Sequence, residues 1–77
     1  MKLYLLTQNK YTDYGTFDSC VVAAESEENA REIRPTLGGY LYNDEWPSDT
    51  SVVKVTYLGE AVDESFSGII CASFNAG

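Results

Sequence analysis

Apolar positions recur along this chain mostly with a period of two, the spacing of strands rather than helices. From Leu3 to Gln8, Leu3 and Leu5 fall on one face and Tyr4 and Leu6 on the other. Both faces are apolar, which predicts a central strand. Phe17 to Ala24 predicts a second strand, its Val21 and Val22 favouring extended backbone. Between them, Asn9 to Gly15 is a polar, tyrosine-bearing loop. A third strand is expected over Val52 to Leu58, with Val53, Val55 and Tyr57 on one face. A fourth is expected over Gly68 to Phe74, where Ile70, Ala72 and Phe74 alternate with Ile69, Cys71 and Ser73.

One segment breaks the period. Glu25 to Pro35 carries the signals of a short helix. Ser26 suits the N-cap, where its hydroxyl can accept an orphan backbone N–H. Glu27 and Glu28 fall in the first turn and Arg31 and Arg34 near the end, matching the helix dipole. Glu27 and Arg31 stand four apart, the spacing of a surface ion pair. Pro35 ends the helix. Only Ala30 and Ile33 form an apolar stripe, so a helix this short has to be held by packing on a sheet. The order β-β-α-β-β predicts a small α+β domain spanning residues 1–77. Its sheet would be four-stranded, antiparallel or mixed, with the helix on one face. The second face also carries apolar groups that one helix cannot cover, which points to a homo-oligomer.

Thr36 to Ser51 has no regular period, apart from a short strand that Tyr40-Leu41-Tyr42 would allow. It contains Gly38-Gly39, Tyr40, Tyr42, Trp46 and Pro47. Irregular segments of this length in compact domains are often functional.

Composition narrows the classes. With 77 residues there is room for one domain. Twelve acidic and five basic residues leave a net charge of −7, which argues against a module that binds nucleic acid by neutralising phosphates. No histidine is present, which removes histidine-based catalysis and histidine metal sites. No P-loop, nucleophile elbow or dinucleotide fingerprint occurs, so the chain reads as non-enzymatic and without cofactor or metal. The opening Met1 to Leu6 run is stopped by Thr7 to Lys10, short of the apolar core of a secretory signal. Cys20 and Cys71 both lie in apolar runs and are expected to be reduced core thiols in a cytosolic protein.

Three stretches together resemble a group of small phage and prophage proteins: Phe17-Asp18-Ser19-Cys20-Val21-Val22-Ala23-Ala24-Glu25-Ser26-Glu27-Glu28, the stop Ile33-Arg34-Pro35, and the end Ala72-Ser73-Phe74-Asn75-Ala76-Gly77. The resemblance covers most of the chain, and the tail is its most specific part. It implies a phage-encoded accessory protein acting in the bacterial cytoplasm. It supplies neither a reaction nor functional residues. Small proteins of that kind counter host defence by binding, either inhibiting a host protein or sequestering a signalling molecule.

Two surfaces compete for that role. The first gathers Arg31, Arg34, Tyr40, Tyr42 and Trp46, with Asn75 from the tail. Aromatic faces stack on a nucleobase and arginine forks onto phosphate, so this group points to capture of a nucleotide-derived immune signal. Trp46→Ala would then weaken binding more than folding. The plainer alternative is that the aromatics close a small core and the arginines balance the dipole and Glu27. The second surface is the acidic one, which could imitate DNA phosphates to a basic nuclease or regulator, in the manner of an anti-CRISPR or anti-restriction inhibitor. The helix arginines are expected to neutralise part of it, and solubility alone accounts for much of the charge. Neither surface implies direct binding of nucleic acid or membrane.

Overall fold

The computed structural model describes residues 1–10, 12, 15–35, 46–47, 49–62 and 65–74. Strands β1 (Lys2–Thr7) and β2 (Phe17–Ala24) are followed by helix α1 (Glu27–Arg31), a 3-10 turn (Thr50–Val52), and strands β3 (Lys54–Glu60) and β4 (Gly68–Phe74). The strands form one sheet in the order β3-β1-β2-β4. All three pairings are antiparallel, which settles the choice between antiparallel and mixed. β1 is central, as its two apolar faces predict. Helix α1 packs on β1, β2 and β3, completing a two-layer α+β domain. No described helix is long and apolar enough to cross a membrane.

Register explains which side chains are inside. Tyr4 lies between Val22 and Tyr57, and Leu6 between Cys20 and Val55. Directly opposed residues share a face, so Tyr4, Leu6, Cys20 and Val22 lie together on the helix side. All four are buried, in one core with Phe17, Ala24, Ala30, Trp46 and Val53. Tyr4 and Tyr57 meet edge to face, with ring centroids 5.8 Å apart. The alternate positions Leu3, Leu5 and Val21 form the opposite face and are half-buried.

Two bulges among three register shifts shape the sheet; the third shift falls at Asp18, between Phe17 and Ser19. Leu3 pairs with Gly59 while Tyr4 pairs with Tyr57, leaving Leu58 unopposed. Gly59 supplies the φ of +152° that this irregularity uses, a conformation L side chains rarely adopt. On the other side Val21 pairs with Cys71 and Val22 with Ile69, leaving Ile70 unopposed. Both unopposed residues are about half exposed, at 51% and 52%.

The helix is shorter than the Glu25–Pro35 stretch predicts. Ser26 caps it as expected, its hydroxyl accepting the Asn29 N–H at 3.2 Å. It stops at Arg31 because Pro35 has no N–H to donate and disfavours helical backbone at Arg34. The closing bonds from Glu32 N–H to the Asn29 carbonyl and from Ile33 N–H to the Ala30 carbonyl tighten the last turn. The third strand begins two residues later than expected because Asp49 caps a 3-10 turn ahead of it. Its carboxylate accepts from the Ser51 N–H at 3.0 Å and the Ser51 hydroxyl at 2.6 Å, which holds Asp49 below its ordinary pKa.

Candidate functional site

Arg31 leaves the last turn of α1 and turns toward β3. Its Nη1 donates to the Thr50 carbonyl at 3.0 Å and also to the Val53 carbonyl. No ion pair joins Arg31 to Glu27 among the described residues. The spacing of four would allow one, but two backbone acceptors in a half-buried position outcompete one exposed carboxylate. Arg34 behaves similarly, with Nη2 donating to the Trp46 carbonyl at 3.2 Å. The two arginines therefore fasten Trp46 and the Thr50–Val53 backbone to the end of the helix.

Trp46 is 1% exposed and belongs to the core. Its indole offers no open face for a base to stack on, which corrects the expectation that it lies on a binding surface. The amphipathic ring could serve either purpose, and packing against the sheet decided it. Tyr40, Tyr42 and Asn75 lie outside the described residues. Of the six candidate residues, the structure thus brings together Arg31, Arg34 and Trp46, in a structural clamp.

One feature of Arg34 is left over from that clamp. Its Nε is buried and has no hydrogen-bond partner among the described residues. A guanidinium binds carboxylate or phosphate through paired donors, so an acceptor beside Arg34 would satisfy a donor that is otherwise costly to bury.

A cavity among the described residues lies elsewhere, between the end of β1 and the start of β3. It is open, about 180 Å³, and lined by Thr7, Gln8, Asn9, Val52 and Lys54. Small-molecule sites usually enclose roughly 300–1,000 Å³, so it is small for a nucleotide, and none of the candidate residues lines it. No cluster of three or more metal-ligating side chains occurs among the described residues.

The carboxylates are arranged differently from the expectation. Glu25, Glu27, Glu28 and Glu32 are exposed, and no side-chain partner neutralises any of them among the described residues. Within residues 25–32 the only basic side chain is Arg31, and its hydrogen bonds go to carbonyls. The helix arginines therefore do not quench the acidic surface around α1. This could not be read from spacing, since their acceptors lie 12 to 22 positions away in sequence.

The cysteines also separate. Cys20 is buried on the helix side of the sheet, and Cys71 is exposed on an edge strand; both are free thiols. Cys71 is thus not a core residue, although its local sequence is as apolar as that of Cys20. Burial pushes the Cys20 thiol up to about 12, with a smaller contribution from Cys71.

No protein-family model, curated protein or solved structure matches the chain.

Proposed function

We propose that this chain is a phage-type accessory protein that acts by non-catalytic binding in the bacterial cytoplasm, inhibiting a basic protein of host defence through the carboxylates around α1. The resemblance to small phage proteins supports the setting. The observation that carries the binding mode is the withdrawal of Arg31, which leaves Glu25, Glu27, Glu28 and Glu32 exposed without a cationic partner among the described residues. Unpaired carboxylates on a chain of charge −7 steer a positively charged protein toward this side, where they stand in for a run of phosphates.

The test is binding to a panel of purified bacterial nucleases and DNA-binding regulators with basic grooves. A target should associate at a rate that falls as salt rises, and Glu28→Gln/Glu32→Gln should slow association while leaving the fold intact. If no member of the panel binds, or if binding is indifferent to salt and to these substitutions, the reading fails.

A second reading rests on Arg34. Its buried Nε, without a partner among the described residues, favours capture of an anionic, nucleotide-derived signal. Calorimetry against cyclic and linear nucleotides tests it directly, with Arg34→Lys expected to abolish any binding because lysine lacks the planar fork.

A further inference from the structure

The two edges of the sheet differ. β3 is protected as edge strands usually are: it begins with Lys54 and ends with Glu60, and charge on an edge discourages strand addition. β4 has no charged residue, and no side chain from Ser65 to Gly77 is charged. Its Ile70, Cys71, Ala72 and Ser73 are all exposed. Among the described residues no strand pairs its outer side.

We propose that the outer edge of β4 pairs antiparallel with β4 of a second copy about a two-fold axis, making one continuous eight-stranded sheet. Three observations select this occupant. A second copy also carries −7, so two chains repel except where charge is absent, and β4 is such a place. An antiparallel pair of identical strands is self-complementary, so each copy supplies the acceptors for the other's donors. The pairing also closes: the edges left exposed are the two charged β3 strands, which resist further addition, so the assembly stops at two rather than growing into a fibre. The bulge at Ile70 confines regular pairing to the Cys71–Phe74 half of the strand and leaves the Ile70 side chain available to pack across the new interface.

Sedimentation of the full chain over a concentration series tests this, with circular dichroism and thermal melts as folding controls. Wild type and Val62→Lys, a substitution at a fully exposed site off the strand, should dimerise. Ile70→Lys and Ser73→Lys should shift the dimer dissociation constant upward by at least tenfold without loss of fold. Two variants are used so that one unfolding does not decide the matter. A spin label on Cys71 should report a separation within about 20 Å across the axis, from the strand spacing and a register offset of a few residues. Three results would overturn the proposal: a monomer at every concentration, a dimer that both lysine variants leave intact, or a dimer dissolved instead by Thr56→Lys on the open sheet face. A heteromeric complex in which β4 pairs with an extended segment of another protein, with no self-association, would overturn it equally.

Discussion

Arg31 Nη1 sits 3.0 Å from the carbonyl oxygen of Thr50, nineteen positions away, and donates to Val53 as well. Through that contact the helix end fixes the 3-10 turn that launches β3. Hydrogen bonds from a charged donor contribute roughly 1.5–3 kcal/mol when half-buried. Arg31→Ala should therefore lower stability to urea by about that amount and loosen the Thr50–Val53 backbone, seen as faster amide exchange there. Glu27→Gln should leave stability nearly unchanged, because Glu27 is not the partner. A large effect of Glu27→Gln would restore the ion pair that the spacing suggests.

Trp46→Ala should remove a large share of the chain's stability. Removing a buried tryptophan costs roughly 3–5 kcal/mol, and a domain of this length has a total stability of roughly 4–12 kcal/mol at the usual value per residue. Trp46→Phe should retain a cooperative but weaker transition. Native fluorescence should be blue-shifted, with little quenching by iodide. Strong quenching in the folded state would place the indole at the surface and revive its role in binding.

Much of the architecture was legible locally, and the misreadings share a cause. The bounds of Phe17–Ala24 and Gly68–Phe74 follow from β-branched and alternating residues between turn-forming neighbours, and Ser26 reads correctly as a cap. Arg31, Trp46 and Cys71 cannot be placed from their local sequence because their surroundings are set by distant parts of the chain. A guanidinium near a helix end looks free until its acceptors, 19 and 22 residues on, are in place. Trp46 follows a glycine- and tyrosine-rich stretch whose sequence has no apolar period, so only the fold shows that it faces inward. Cys20 and Cys71 have equally apolar neighbours, and strand order puts one in the interior and the other on the rim.

Ser26→Ala should cost about 1 kcal/mol, the usual value of an N-cap, because it orphans the Asn29 N–H. Since α1 has only five residues, the loss should show as a lowered melting temperature of the whole domain. Ser26→Asp should restore most of it. A Ser26→Ala melt indistinguishable from wild type would mean that packing alone holds the helix.

The two thiols should be chemically distinct. At pH 8, Cys71 should alkylate readily while Cys20 reacts only on unfolding, so mass spectrometry of native protein should find one adduct and of denatured protein two. Cys20 also sets an alkaline limit. Its thiol ordinarily ionises near 9.0, and burial raises that to about 12. Between those values the unfolded chain has released a proton that the native chain still holds. Unfolding is therefore favoured by rising pH, with a slope approaching about 1.4 kcal/mol per pH unit for one proton. The stability that the neutral thiol contributes is complete below pH 9 and is lost as pH climbs toward 12. Tyrosines titrate over the same range, so the contribution of Cys20 is the difference between wild type and Cys20→Ala. The variant should be somewhat less stable at pH 7 and should lose stability more gradually above pH 9. Parallel curves for the two proteins would show that the native fold does not hold Cys20 neutral.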